Sequence, residues 1–484
     1  MEGVSRRGIL VASALGAAAQ GAVPTAAQMP AAAASPEADM ASLQDLIQAA
    51  RTGGTHLGEQ LLRHLPGLEL GGAAAVPVVG VAPTPDTSTI ATVASGNVAA
   101  VWGQDFLFAV KSEKPASIAI DRQPQVPMTR VGGTDYWYRL ETLRLGVTHT
   151  FTLYADGRDV GTNSVAGYNP DSYPLPGVAA GMLSAKRSIV SSIYGGAVAD
   201  YWIYANAGID TVRGAPLMVW QDGQNHVGAR DLINYRLRTV TDNLVHKKLI
   251  PPMAHLLIAP GTGGEPLAPR FPGEPQNNAM RSLQYDTVSD RYGEYLRREV
   301  LPEVEKQVKL RQDSYSRGAA GASSGAICAF NLAWFHPDRF SRVHSNIGSF
   351  TGLQWFPEQH IDGGYIVSNN VRREPRHNIR VWMSDGMYDL EVDSSGRPDI
   401  YIAGSWALNN IQLANALKTN GYDFHFRFGV ATHSSAQGAM DLPESLAWLW
   451  RGYDPDKTAE TFDQEATERA KPIFRVQIAN RSAW

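Results

Sequence analysis

The sequence SYSRGAAGASSGAICAF, residues 314–330, contains the pattern from which the rest of the chain can be interpreted. Its centre, Gly321-Ala322-Ser323-Ser324-Gly325, is a G-x-S-x-G motif, which places a serine in a sharp turn between a strand and a helix. Residues 314–320 can form the strand, and a helix is predicted over residues 324–335. A plain Gly/Ser turn is the alternative for so short a motif. With a strand before it and a helix after it, the motif favours a nucleophilic serine at the edge of a sheet in an α/β fold.

A nucleophilic serine needs a base to remove its proton and an acid to orient that base. In α/β-hydrolases the order along the chain is serine, acid, histidine. His433 follows a predicted strand over residues 424–428, at the sheet edge where ligands bind in open α/β folds. Asp385 and Asp389 both follow the predicted strand over residues 380–383. Asp385 could simply cap a turn, whereas Asp389 lies further into the loop, but spacing alone leaves both aspartates open.

The same chemistry needs two backbone N–H donors for the oxyanion of the tetrahedral intermediate. Ser324 is the expected first donor, because it follows the nucleophile and opens the helix. The second should come from the loop after an earlier strand, and residues 221–224 follow the predicted strand over residues 216–220. An ordinary Asp-Gly turn is the alternative interpretation of that loop.

Two regions of different pattern surround these motifs. Between residues 185 and 455 strands alternate with helical patterns, which predicts a mostly parallel sheet with helices on both faces. The expected elements are strands at 216–220, 254–258, 380–383 and 424–428, and helices at 230–246, 289–311, 324–335 and 405–420. Residues 86–180 carry β-branched and aromatic runs at 106–110, 117–120, 136–140 and 148–154, which predict a small β-sandwich. Residues 456–484 form a charged tail.

The N-terminus predicts export. Arg6 and Arg7 precede a short apolar run over residues 11–22, as in a twin-arginine signal, and we assign residues 1–34 to that signal. The run is too short to span a membrane, which takes about 20 apolar residues. Residues 35–85 are predicted to form a helix and then a Gly/Ala/Pro-rich linker. The protein is therefore expected to be periplasmic or secreted.

Composition excludes some functions. The 484 residues carry a formal net charge of -4 and no cluster of Lys and Arg interleaved with aromatics, so nucleic acid is not an expected partner. Cys328 is the single cysteine, which excludes an intrachain disulfide and a cysteine-based metal cluster. It lies in the helix after Ser323, where it is expected to pack as a small apolar side chain.

Several short motifs, in order along residues 95–452, resemble the enterochelin esterase family of α/β-hydrolases. Besides the G-x-S-x-G motif and Thr432-His433, they are Asp135-Tyr136-Trp137-Tyr138, Leu153-Tyr154-Ala155-Asp156-Gly157, Asn169-Pro170, Val219-Trp220-Gln221-Asp222-Gly223-Gln224, Arg281-Ser282-Leu283-Gln284-Tyr285-Asp286, His336-Pro337-Asp338-Arg339-Phe340, Gly348-Ser349-Phe350, Gly421-Tyr422-Asp423 and residues 442–450. The chain departs from the family at Gln284, where a glutamate is usual, and at Ala326, where a second glycine is common.

The resemblance implies an α/β-hydrolase domain preceded by an Ig-like sandwich. It implies that Ser323 is the nucleophile, Asp389 the acid and His433 the base, with the backbone N–H groups of Gln224 and Ser324 as the oxyanion hole. No metal or organic cofactor would be required.

Three further residues are candidates for contact with the substrate. Arg281 could meet an anionic or polar group, or it could be a solvated arginine at the start of a helix. Trp355 and Trp406 lie in loops or at helix starts near the predicted cleft, unlike the tryptophans in apolar strand and helix patterns.

The function expected from these features is that of a serine esterase resembling enterochelin esterases, acting on a small-molecule or carbohydrate ester through an acyl-enzyme. No basic cluster suited to a ferric catecholate is evident, so the siderophore substrate does not carry over from the resemblance. The alternatives are a carbohydrate esterase that removes feruloyl or acetyl groups, an acyltransferase with the same machinery, and a binding protein that relies on its sandwich.

Overall fold

The structure is a computed structural model that describes residues 100–102, 105–130, 135–228, 235–265, 276–356, 360–390 and 404–474. The predicted export signal over residues 1–34 and the predicted helix and linker over residues 35–85 lie outside the described residues. Both stay predictions, as does the location that the signal implies.

The first described region is all β. Its strands are β1 Ala100–Trp102, β2 Asp105–Lys111, β3 Ser117–Ile120, β4 Val126–Pro127, β5 Thr129–Arg130, β6 Tyr136–Thr142, β7 Thr148–Ala155 and β8 Arg158–Ala166. They form two four-stranded sheets, in the orders β1-β2-β6-β5 and β4-β3-β7-β8, and every pairing is antiparallel. Phe108 of one sheet packs on Phe151 of the other, with ring centroids 4.8 Å apart. The four predicted strands are present, whereas the more polar β8 was not predicted; the assignment as Ig-like stays a prediction.

The second region contains a nine-stranded mixed sheet. Its strands are β9 Met182–Leu183, β10 Arg187–Ser191, β11 Ala197–Ala205, β12 Leu217–Gln221, β13 Ala254–Ile258, β14 Arg317–Ala322, β15 Arg342–Asn346, β18 Arg380–Tyr388 and β19 Asp423–Thr432; β16 Trp355–Phe356 and β17 Ile361–Asp362 form a separate hairpin. The order is β10-β11-β13-β12-β14-β15-β18-β19, with β9 paired to β11. In this order, the six strands β13, β12, β14, β15, β18 and β19 are paired in parallel. At the opposite edge, β9, β10 and β11 pair antiparallel. The expected parallel sheet is therefore extended by an antiparallel edge, whose strands were not predicted.

The helices are α1 Leu237–His246, α2 Gln276–Tyr285, α3 Arg291–Tyr295, α4 Leu301–Glu305, α5 Ser324–Phe335, α6 Ile366–Arg373, α7 Trp406–Thr419, α8 Ala436–Leu449 and α9 Ala466–Ala470. Short 3-10 turns occur at Pro170–Ser172, Gly223–His226, Ser314–Ser316 and Gly363–Tyr365. The long helix predicted over residues 289–311 is shorter, and a π-helical segment, Leu296–Val300, joins α3 to α4. The strand predicted at 314–320 begins only at Arg317, because the 3-10 turn precedes it. In α7, Ser405 accepts the N–H of Leu408 and caps the helix start.

Alternation along the strands divides the core of the sheet between its two faces. Met218 and Trp220 of β12 belong to one buried cluster, and Leu217 and Val219 belong to the other. Successive side chains of a strand point to opposite faces, so the two clusters cover both sides of the sheet. Among the described residues, no helix has both the length and the apolarity needed to cross a membrane.

Candidate active site

Ser323 occupies a strained turn between β14 and α5. Its φ of 57° and ψ of -124° are unusual for a residue with a side chain, and such a conformation costs about 1–3 kcal/mol. Close backbone packing enforces the turn: a Cβ on Gly321 would lie 2.3 Å from the carbonyl carbon of Gly325. A Cβ on Gly325 would lie 3.0 Å from the Cβ of Gln221. Close approach therefore leaves no room for a side chain at Gly321 and little room at Gly325, and the turn presents the serine at the end of β14.

The structure brings Ser323, His433 and Asp389 into one hydrogen-bonded line. Ser323 Oγ lies 2.9 Å from His433 Nε2, and His433 Nδ1 lies 2.5 Å from Asp389 Oδ1. His433 follows β19 and Asp389 follows β18, and these strands are paired in parallel, so their carboxyl ends meet beside β14 and β15. Because an ionised carboxylate only accepts, Nδ1 carries the proton, and Nε2 is free to accept from Ser323.

The geometry shows which of the two candidate aspartates contacts the histidine, a choice that the sequence spacing left open. Asp389 contacts His433, whereas Asp385 lies behind Asp389, where its Oδ1 accepts the N–H of Gly386 at 2.7 Å. Asp385 is 1% exposed. Burial, followed by the hydrogen bond with Asp389 and its negative charge, raises the pKa of Asp385 far above its ordinary value. The folded protein therefore favours the protonated form of Asp385 more strongly than the unfolded chain does.

Ser349, on the loop after β15, was not a predicted site residue, yet it contacts Ser323. Its Oγ lies 3.1 Å from Ser323 Oγ and accepts the indole N–H of Trp406 at 2.9 Å. Gly348-Ser349-Phe350 is one of the motifs that resemble the esterase family, but nothing in its sequence specifies this contact.

Trp406 and Trp355 were both candidates for contact with the substrate, but the structure places neither of them in the cleft lining. Trp406 is 3% exposed, and its ring lies edge-on to that of His433 with centroids 5.5 Å apart. It supports the site from beneath instead of facing a substrate. Trp355 is 40% exposed on the β16–β17 hairpin. Neither tryptophan is among the described residues that line the cleft around Ser323.

The cleft beside Ser323 has a volume of about 210 Å³. Its lining comes from the loop after β12, the G-x-S-x-G turn and the His433 loop, together with a floor of aromatic and imidazole rings: Trp220, His226, Tyr235 and His344. Burial lowers the pKa of His344 to about 4, so this imidazole carries no charge at neutral pH.

Arg281 lies on the wall of the cleft, where it is paired rather than free. Its Nε and Nη2 each donate to a carboxylate oxygen of Asp222 at 2.8 Å. Burial, the largest single effect, lowers the pKa of Arg281, but the charge and hydrogen bonds of Asp222 and the charges of Asp286 and Tyr285 together outweigh it, so the net shift is upward. Asp222 itself has a φ of 55°, and its N–H donates to the hydroxyl of Tyr285 at 3.2 Å. The arginine therefore holds the loop after β12 and also borders the cleft, a position that neither sequence interpretation described.

The two expected oxyanion donors border this loop and the helix start. Ser324 is the first residue of α5, so its N–H has no partner within the helix. Gln224 lies in the 3-10 turn Gly223–His226, directly after Asp222 and Gly223. A Cβ on Gly223 would lie 2.1 Å from the backbone nitrogen of Ile258, so this turn is packed tightly on β13. The role of Gln224 and Ser324 as donors stays a prediction.

A largely parallel mixed sheet, with a serine in a strand-to-helix turn and a histidine after its last strand, defines the α/β-hydrolase class. The family model described as putative esterase matches residues 205–449, half of the chain, and the protein belongs to this esterase family. The resemblance to esterases drawn from the sequence motifs is confirmed at this level.

The solved structures to which this chain is similar include esterases. The chain is 18% identical to the ferric enterobactin esterase of Salmonella typhimurium, with a TM-score of 0.44, covering 72% of this chain and 93% of that one. It is 16% identical to the enterochelin esterase of Shigella flexneri, with a TM-score of 0.42 and coverage of 72% and 92%. For a CE1 ferulic acid esterase from Anaeromyces mucronatus the identity is 14%, the TM-score 0.42 and the coverage 58% and 93%. No curated protein matches the chain.

Proposed function

We propose that the protein is a serine esterase that hydrolyses a carboxylic ester through Ser323, His433 and Asp389. The observation that carries the proposal is the hydrogen-bonded line in which Ser323 Oγ lies 2.9 Å from Nε2 of His433 and Nδ1 lies 2.5 Å from Asp389. These distances are within the range that general-base activation of a nucleophile requires.

The proposed reaction is acyl transfer to water. His433 takes the proton of Ser323 as Oγ attacks the ester carbonyl, and Asp389 stabilises the imidazolium that forms. The alcohol then leaves with the proton from His433, which gives an acyl-serine. A water molecule next loses its proton to His433 and attacks the acyl carbon, and Ser323 regains its proton as the acid departs.

The start of α5 favours the charge that develops in this reaction. Backbone N–H groups at a helix N-terminus present partial positive charge, and Ser323 directly precedes α5. With the N–H groups of Ser324 and Gln224 as the proposed donors, loss of one donor would cost about 3 kcal/mol of transition-state stabilisation.

The proposed substrate is a small-molecule or carbohydrate ester. The cleft is small and lined by rings with polar edges, and Arg281 on its wall is neutralised by Asp222. Such a site favours an ester whose reacting part is uncharged, and polar groups on the acyl or alcohol portion could meet the ring nitrogens and hydroxyls of the floor.

The test combines active-site labelling with hydrolysis. A fluorophosphonate probe should modify Ser323, identified by mass spectrometry of the peptide, and p-nitrophenyl acetate should be hydrolysed. Ser323→Ala should abolish labelling and lower kcat at least about a thousandfold. Ser341→Ala is the matched control, because Ser341 is 1% exposed and its hydroxyl donates to the carbonyl of Ser314. Ser341 precedes β15, whereas Ser323 lies at the opposite edge of the sheet, after β14. Full turnover by Ser323→Ala would refute the assignment.

A panel of esters then defines the substrate. It should contain short acyl esters, a feruloylated sugar and a ferric catecholate ester, each with and without an added acceptor alcohol. Hydrolysis without the alcohol supports an esterase. Turnover only with the alcohol would identify an acyltransferase, and a folded protein that is neither labelled nor active would favour a binding function.

A further inference from the structure

Ser349 is held against the turn that contains Ser323 by a backbone and a side-chain contact. Its N–H donates to the carbonyl of Ser323 at 3.1 Å, and its hydroxyl lies 3.1 Å from Ser323 Oγ. The preceding residue is also fixed, because Asn410 of α7 donates to the carbonyl of Gly348 at 2.8 Å. Ser349 is 1% exposed and is not among the described residues lining the cleft, so it contacts the nucleophile from behind.

The direction of each hydrogen bond around Ser349 follows from which groups can donate. An indole N–H only donates, so Ser349 Oγ accepts from Trp406 and its own proton remains available. The proton of Ser323 is directed to His433 Nε2, because Nδ1 carries the proton shared with Asp389. In the contact between the two serines, Ser349 is therefore the donor and Ser323 Oγ the acceptor.

We propose that the Ser349 hydroxyl, oriented by the indole N–H of Trp406, donates a hydrogen bond to the Ser323 oxygen and stabilises it as it becomes anionic. This inference rests on the proposed function of Ser323 as nucleophile. Ser349 keeps its proton throughout, and the proton of Ser323 goes to His433. The indole N–H of Trp406 acts through Ser349, so Trp406 is a positioning residue in this arrangement.

The donor acts on the rate of reaction more than on substrate binding. Hydrogen bonds strengthen when the acceptor carries charge, and Ser323 Oγ carries most charge while its bond to the acyl carbon forms or breaks. Both the formation and the hydrolysis of the acyl-serine should therefore depend on Ser349. Because Ser349 lies outside the cleft lining, KM should be unaffected.

The relay consists of two hydrogen bonds, from Trp406 to Ser349 and from Ser349 to Ser323. A double-mutant cycle tests it, with kcat, KM and the rate of Ser323 phosphonylation as readouts. Ser349→Ala should slow phosphonylation and lower kcat about 10- to 100-fold with KM unchanged. Ser349→Cys keeps a weak donor and should fall between that variant and the wild type. Trp406→Phe keeps a ring against His433 but removes the N–H, and it should slow both rates by a smaller factor. In the Ser349→Ala background, Trp406→Phe should have no further effect on either rate.

Matched controls separate this role from loss of packing. Ser341→Ala removes an equally buried hydroxyl, and Trp382→Phe removes an indole N–H that meets no acceptor among the described residues. Both controls should keep the wild-type rates, and thermal unfolding should show that every variant is folded.

The outcomes distinguish the relay from the esterase proposal. If Ser349→Ala reacts as fast as the wild type, or if Trp406→Phe slows the Ser349→Ala variant as much as it slows the wild type, the relay is wrong while labelling of Ser323 still supports the esterase. If the wild type is not labelled at Ser323, both proposals fail.

Discussion

At the scale of single residues, the buried pair Asp385 and Asp389 is the most unusual feature of the site. Both carboxyl groups have an Oδ2 atom that is buried and meets no donor among the described residues. One proton between the two carboxyl groups would satisfy both atoms and leave a single negative charge facing His433. This agrees with the upward shift in the pKa of Asp385, which burial causes first and Asp389 reinforces.

The shared proton makes stability depend on pH. In the unfolded chain Asp385 loses its proton near pH 4, whereas its raised pKa in the folded protein moves that loss to higher pH. The wild type should therefore lose up to about 1.4 kcal/mol of stability per pH unit above pH 4. Asp385→Asn cannot ionise, and its amide can donate to Asp389 as the acid does. Its melting temperature should therefore exceed that of the wild type by a few degrees at pH 8, with the difference vanishing near pH 4. A difference that is constant or that shrinks as pH rises would mean that Asp385 is ionised in the folded protein.

Some residues of the candidate site could be predicted from the sequence, and others could not, for a physical reason. Ser323 and His433 were predictable because a strained turn and a strand end impose local patterns. The choice between Asp385 and Asp389 depends on where a loop turns back toward His433, and spacing does not encode that. The role of Ser349 depends on the direction of two hydrogen bonds across β15, α5 and α7, which no local pattern records.

At the scale of elements, the prediction succeeded for the buried, mostly apolar β13 and α5 but missed β15, which is buried at every position and mostly polar. Strand β13 is buried at every position, and it lies at the predicted residues 254–258, as α5 lies at 324–335. Strands β8 and β10 were missed because exposed polar residues make up much of them and pairing with β7 and β11 holds them. Their stability comes from partners distant in sequence, so propensity could not reveal them.

The turn between β14 and α5 should tolerate no side chain at Gly321. In Gly321→Ala the new Cβ would lie 2.3 Å from the carbonyl carbon and oxygen of Gly325, so the start of α5 must shift. A shift of about 1 Å can cost about a hundredfold in rate, and kcat for p-nitrophenyl acetate should fall by at least that factor. Gly429→Ala is the control, because a Cβ there meets nothing within 4 Å, and its activity should equal that of the wild type. Equal activity of the two variants would show that the turn can relax.

At the scale of the whole molecule, the all-β region and the α/β-hydrolase region share a core. One hydrophobic cluster contains Phe108 and Phe151 of the two small sheets together with Trp220 of β12 and Leu446 of α8. A polar contact also joins the regions close to the His433 loop, since Gln437 of α8 donates to the carbonyl of Gly146 at 3.0 Å. Because burial is shared, we expect the two regions to unfold in a single transition.

Asn243 of α1 gives the sharpest test of that coupling. It is 1% exposed, and its Nδ2 donates to the carbonyls of Asp171 and Tyr173 at 2.8 and 2.7 Å, in the segment that leads from the all-β region to the large sheet. Asn243→Ala leaves two carbonyls without this donor and should cost about 2 kcal/mol or more, lowering the melting temperature of the whole protein by a few degrees. Lys247→Ala removes a partly exposed ion pair with Asp171 and should cost less than about 1 kcal/mol. Calorimetry should show one shifted transition, with esterase activity lost at the same temperature. A separate early transition that leaves activity intact would mean that the two regions unfold independently.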